Sequence, residues 1–187
     1  LFRVVEILLD FGAEVIGTAS AAKHPRLRDA GCAHCIDYRS QDFEAEVKRI
    51  TDGAGVQIAL DAVGGQSFAK SYRCLASMGR LFMFGVSSFA AGEKRSILRA
   101  LRGLLAIPTF KSIPLMNENR GVFGINLGHL WHEGPRLTAM LEQILALVAE
   151  GTLAPVVDRV FPFEDAAGAH RYLQSRRSFG KVLLAAS

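Results

Sequence analysis

Three sets of residues have the types and spacing to do chemistry. Ser20 and Lys23 follow a short stretch, Gly17-Thr18-Ala19, with no carboxylate beside them. A hydroxyl and an ammonium placed this way can hold a phosphate monoester by charge-assisted hydrogen bonds. An Asp or Glu here would instead accept hydrogen bonds from a ribose diol. The plainer reading of the pair is a solvated loop with a surface lysine. Cys32 and Cys35 flank Ala33 and His34. A structural zinc site takes four ligands, usually from two such pairs, and Cys74 is the one other cysteine. No metal is therefore assigned. A redox dithiol normally lies at a helix N-terminus, which lowers the thiol pKa. Cys35 instead alternates with Ile36 in a strand-like run, which points the two thiols different ways.

Basic side chains form the third set. Lys94, Arg95, Arg99 and Arg102 lie opposite Ile97, Leu101, Leu104 and Leu105. This is a basic amphipathic helix over residues 96–106. It reads as a solvated face over core or as a subunit contact, and alternatively as a surface for anionic membrane or an acidic partner. His129, Trp131 and His132 cluster ahead of a long helix. His129 is suited to proton donation, although packing at the helix start explains all three. No Ser-His-Asp order or paired-carboxylate pattern stands out, so no catalytic residue is nominated.

The elements that must position these residues alternate along the chain. Helix at 1–11 ends at Gly12, where a left-handed cap is wanted. Strand follows at 14–18, helix at 25–30, strand at 35–38, helix at 42–50 and strand at 56–60. The turn Asp61-Ala62-Val63-Gly64-Gly65 leads into helix at 67–75 and strand at 81–84. Short apolar strands alternating with helices define an α/β fold with a doubly wound, Rossmann-like parallel sheet and helices on both faces. A Pro-punctuated loop then runs through Pro108 and Pro114, with strand at 122–125. Helix at 135–150 carries the apolar stripe Leu137, Met140, Leu141, Ile144 and Val148. Strand near 156–161, helix at 164–173 and strand at 181–184 close the chain.

Composition narrows the class. The chain has 187 residues, 50% hydrophobic and 21% charged, which excludes disorder, collagen and coiled coil. A net charge of +4 permits an anionic ligand without implying nucleic acid. Three cysteines point to a reducing compartment, and a cytoplasmic location is expected. No apolar run reaches the roughly 20 residues of a membrane span. The first residue is Leu1, so the chain reads as a piece of a longer protein.

One family shares these motifs in order. Residues 17–24, Ile36-Asp37-Tyr38, residues 61–65, Gly79-Arg80, Phe84-Gly85, Asn119-Arg120, Leu127-Gly128 and residues 179–184 together resemble the quinone oxidoreductases. These are zinc-free medium-chain dehydrogenases/reductases, and the likeness is nearest to the vesicle amine transport protein branch. The resemblance covers essentially the whole chain. It implies NADPH as cofactor and reduction of quinones or activated alkenes by hydride transfer. It places Ser20, Lys23 and Tyr38 at the 2′-phosphate and adenosine, and Val63 and Gly64 along the pyrophosphate and ribose. Gly85, Val86 and Ser87 fall near the nicotinamide ribose, Phe123 and Gly124 near the nicotinamide, and Lys181 is a weaker candidate. It implies a homodimeric full-length protein with a small-molecule substrate. An enoyl reductase module of a larger synthase, or a non-enzymatic vesicle-associated binding protein, remains an alternative.

The family pattern begins with a strand and a glycine-rich turn ahead of residue 1, and with a substrate domain before them. Residues 1–151 then read as an N-terminally truncated nucleotide-binding domain, and 152–187 as a segment returning to the absent substrate domain. In the doubly wound order the first strand is central. Without it two strands lose their shared partner, and the chain is expected to close its sheet differently or to be poorly stable. The fragment is expected to be inactive, because proximity within a complete cleft accounts for much of such catalysis.

Overall fold

The computed structural model describes residues 2–87 and 106–186, with side chains from Val5 onward. The basic run with Lys94, Arg95, Arg99 and Arg102 lies outside the described residues. The helices are α1 (Phe2–Asp10), α2 (His24–Asp29), α3 (Phe43–Ile50), α4 (Gln66–Arg73), α5 (Ser112–Glu118), α6 (Gly134–Ala149) and α7 (Ala166–Gln174). The strands are β1 (Ile16–Ala19), β2 (His34–Asp37), β3 (Val56–Asp61), β4 (Leu75–Met83), β5 (Gly121–Gly124), β6 (Val157–Pro162) and β7 (Lys181–Ala185). The alternation expected of an α/β, Rossmann-like fold is present. Contacts group the chain into two units, Leu1–Ile36 with Glu133–Ser187, and Asp37–His132.

In the first unit, β1 pairs with β2 and β6 pairs in parallel with β7. Its core gathers Val5, Val15, Ala19, Leu27 and Cys32, with Leu8, Leu9 and Cys35 packed against them. Leu27 is wholly buried, a side chain whose removal from water is worth about 2 kcal/mol. Helix α1 ends as expected: Gly12 takes φ +72° and its N–H donates to the Leu9 carbonyl. The stripe on α6 does not become core. Met140, Leu141 and Ile144 stay exposed in this chain, as does Leu145.

The second unit is built on β3, β4 and β5, which are parallel neighbours in that order. Leu75, Leu81 and Phe68 fill its core. Two expectations shift here. Strand β4 starts at Leu75 and not at Leu81, crossing an irregular step where Met78 takes φ +63°. The loop through Pro114 contains helix α5. Pro114 lies in its first turn, where the missing N–H has no helical partner to lose.

Helix α3 is fastened to α4 by charge. The Asp42 carboxylate caps α3 through the Glu44 N–H, 2.9 Å, and pairs with Lys70. Glu44 accepts from Arg73 at 2.7 Å and from Lys48 at 2.8 Å. Hydrogen bonds from Arg73, aided by Lys48, hold the Glu44 carboxyl down to about 2 against the opposing effect of burial. A carboxyl pulled below its ordinary 4.5 stabilises the fold above pH 4.5 and loses that contribution as pH falls toward 2. Solvent screening limits it to about 1 kcal/mol. Urea melts should therefore show Glu44→Gln less stable than the parent by that amount at pH 6, with the gap closing near pH 2. An unchanged gap at both pH values counts against the pairing.

Candidate functional site

Strands β3, β4 and β5 end level. Asp61 stands opposite Met83, and Met83 opposite Gly124. Their carboxyl-end loops are stitched together by the main chain. Phe84 donates to the Asp61 carbonyl at 3.1 Å, Ser87 to the Ala62 carbonyl at 3.0 Å, and Ile125 to the Met83 carbonyl at 2.8 Å. Gly64 and Gly85 permit the approach. A Cβ on Gly64, which has φ +84°, would lie 3.1 Å from Val86, and one on Gly85 would lie 3.0 Å from the Ala62 oxygen. The carboxyl end of a parallel sheet is where such folds bind ligands.

One buried carboxylate shapes this loop, and sequence reading passed it over as part of a turn. Asp61 accepts from the Val63 N–H at 2.8 Å, the Gly64 N–H at 3.3 Å, and the Ser67 and Ser71 hydroxyls at 2.7 and 2.8 Å. Ser67 and Ser71 sit four apart on α4 and so share its face. A carboxylate at the end of a strand, followed by two hydroxyls at helical spacing, is the signal that could have found it. The Val63 and Gly64 amides thus point at Asp61. These two residues can line a ligand by surface, not by those amides.

The surface above these loops is apolar and open. Val63, Val86 and Phe123 are half exposed, and Ser87 is exposed. Phe123 stacks on Phe82 with centroids 5.1 Å apart. Nothing lies within 4 Å of a Cβ built on Gly124, so there is free space beside Phe123. A flat ring can lie against such a surface.

The phosphate candidates belong to the first unit. Beyond β1 the Ser20 carbonyl accepts from the Lys23 N–H at 2.8 Å and closes a tight turn. The Lys23 ammonium donates to the Ser178 carbonyl at 2.6 Å. An ammonium has three donors, so this bond positions the group without exhausting it. The link to Ser178 was not foreseen. Tyr38 falls in the second unit, half exposed in the turn after β2. That turn is held by Asp37, whose carboxylate accepts from the Arg39 N–H and the Ser40 hydroxyl. Lys181 opens β7, with its N–H donated to the Val156 carbonyl. Ser20 and Lys23 therefore come together. Val63, Gly64, Gly85, Val86, Ser87, Phe123 and Gly124 form a second group.

Two expectations need correction. Trp131 is 82% exposed and is not packed at the start of α6. The thiols of Cys32 and Cys35 do not face apart. Burial, with Cys35 beside it, pushes the Cys32 thiol up to about 11. Among the described residues no three His, Cys, Asp or Glu side chains gather to hold a metal. Nor is any described helix long and apolar enough to cross a membrane.

A parallel β3–β4–β5 sheet alternating with helices, with glycine-bearing loops at its carboxyl end, places the chain among Rossmann-like α/β folds. The chain belongs to the zinc-binding dehydrogenase family, whose model matches residues 30–184. It is 36% identical over 170 residues to the human synaptic vesicle membrane protein VAT-1 homolog, covering 91% of this chain and 43% of that protein. Its fold matches a Pseudomonas syringae quinone oxidoreductase with a TM-score of 0.77 at 23% identity, over 98% of this chain and 52% of that one. A mycobacterial protein complexed with NADPH matches with a TM-score of 0.77 at 25% identity, over 98% of this chain and 54% of that one. The resemblance to medium-chain dehydrogenases/reductases and their vesicle-protein branch is borne out. The chain is a domain of that family, and it spans less than half the length of the curated relatives it matches.

Proposed function

We propose that this chain is the cofactor-binding part of an NADPH-dependent reductase acting on quinones or activated alkenes. The observation that carries the reading is the Ser20–Lys23 turn: a hydroxyl and a positioned ammonium beyond β1, with no carboxylate among them. The mycobacterial neighbour complexed with NADPH supports it. Ser20 and Lys23 would hold the 2′-phosphate, with Tyr38 against the adenosine. Val63 and Gly64 would line the pyrophosphate and ribose, Gly85, Val86 and Ser87 would lie near the nicotinamide ribose, and Phe123 and Gly124 would lie near the nicotinamide. When bound, NADPH supplies the hydride from C4 of its nicotinamide. The protein's share is to fix the cofactor and keep one ring face against an apolar wall. Residues 152–187 would return the chain to a substrate domain, and the fragment alone would be nearly inactive.

Fluorescence titration with NADPH and NADH tests this. Lys23→Ala should weaken NADPH about tenfold, the worth of one charge-assisted hydrogen bond, and leave NADH within about twofold. Ser20→Ala should act in the same direction. Equal affinity of the parent for both cofactors, or equal losses for both in Lys23→Ala, would overturn the phosphate assignment.

A further inference from the structure

The Cys32 and Cys35 thiols touch the chain on either side of the Ser20–Lys23 turn. Cys32 leads into β2, and the chain bends at Ala33. That bend breaks the extended alternation which would otherwise separate residues three apart. Cys32 is buried in the core of the first unit, and Cys35 packs against the same core while staying partly exposed. The single S–H of Cys32 lies within reach of two acceptors, the Val15 carbonyl at 3.3 Å and the His34 carbonyl at 3.1 Å, the latter one residue from Cys35. It presses on β1 as well, since a Cβ on Gly17 would come within 2.9 Å of it. The Cys35 sulfur lies 4.0 Å from the carbonyl of His24, the residue after Lys23. One thiol thus touches the strand that leads into the turn, and the other touches the residue that leaves it.

We propose that Cys32 and Cys35 are an oxidisable dithiol that closes to a disulfide with a small disulfide oxidant, and that closure weakens the phosphate-binding turn. The partly exposed Cys35 is the point of entry. Its thiolate attacks one sulfur of glutathione disulfide, forming a mixed disulfide and releasing one glutathione thiolate. The Cys32 thiolate then attacks the Cys35 sulfur, forming the Cys32–Cys35 bond and releasing the second glutathione. Two protein thiols are oxidised, one glutathione disulfide is reduced to two thiols, and two protons pass to the leaving thiolates. Closure draws Cys32 away from the Val15 and His34 carbonyls. The turn feels this through Gly17 on one side and His24 on the other. The second step needs a thiolate at Cys32. With that thiol up at about 11, the rate of closure should rise about tenfold per pH unit below it.

The coupling to cofactor rests on the NADPH reading above; the dithiol does not. The test incubates the chain with glutathione disulfide between pH 7 and 9 and follows mass and free thiols. The expected product is lighter by two hydrogen atoms and keeps one free thiol, Cys74. Cys32→Ser should stop at the mixed disulfide with one glutathione, Cys35→Ser should remain largely unmodified, and Cys74→Ser should close like the parent. A parent that stops at the mixed disulfide across the pH range, or a Cys74→Ser variant that fails to close, overturns the dithiol. NADPH titration of the oxidised chain should show affinity at least fivefold below the reduced chain, restored by dithiothreitol. A disulfide that leaves NADPH affinity unchanged overturns the coupling. A reduced chain that binds no NADPH, yet closes the disulfide, overturns the cofactor reading and leaves the dithiol standing.

Discussion

Asp61→Ala is expected to lower the melting temperature by on the order of 10 °C, a loss of about 3–4 kcal/mol for a chain of this size. The carboxylate is buried and receives four donors, two amides and two hydroxyls. Removing it strands all four where water does not readily replace it, and the cost of unsatisfied buried donors exceeds the net worth of the bonds themselves. Asp61→Asn keeps the size and one acceptor oxygen but turns an amide donor toward a serine hydroxyl, so its loss should be smaller. NADPH affinity should fall in both, since Val63 and Gly64 are shaped by this residue. A melting temperature within about 2 °C of the parent for Asp61→Ala would show that the loop holds its shape without the carboxylate.

The second large effect lies at the base of the same sheet. Gly55 precedes β3 with φ +81°. A Cβ there would sit 2.6 Å from the Cys74 carbonyl oxygen and 2.8 Å from the Ala76 nitrogen, both backbone atoms. That backbone cannot step aside without losing the bond from the Val56 N–H to the Cys74 carbonyl, 2.9 Å. Gly55→Ala therefore combines a left-handed backbone cost of about 1–2 kcal/mol with a steric clash, for a total of about 3 kcal/mol or more. Gly53→Ala separates the two. It has φ +82° but open space around it, so it should cost only the backbone part, about 1–2 kcal/mol. Equal denaturation midpoints for the two variants would rule out the clash.

Much of the architecture was legible because apolar periodicity reports directly on it. Helix α3 and strand β3 fall where their patterns put them, and Gly12 ends α1 as its lack of a Cβ allows. The start of β4 was hidden because Ala76 to Gly79 carry an irregular register that no alternation announces. Helix α5 was hidden by Pro114, which reads as a breaker but is tolerated in a first turn. The glycine-bearing loops of the site were readable as turns in a resembling order. The bond from Lys23 to Ser178 was not, because nothing local at either residue encodes a partner 155 positions away. The neighbouring thiols were missed for a related reason: strand alternation was extended across Ala33, where the chain in fact bends.

The two units differ in how the chain supplies them. Asp37–His132 is one continuous run, whereas the other unit joins Leu1–Ile36 to Glu133–Ser187. During synthesis, the continuous unit can complete its sheet as soon as β5 has left the ribosome. The discontinuous one must wait for β7 and for Ser178, which meets Lys23 from the far end of the chain. Until then its early helix and strands expose apolar surface with no final partner. Ser178 thus completes the corner holding Ser20 and Lys23 only after the loops that follow β3 and β4 have formed. Vectorial folding of this chain runs from the middle outward.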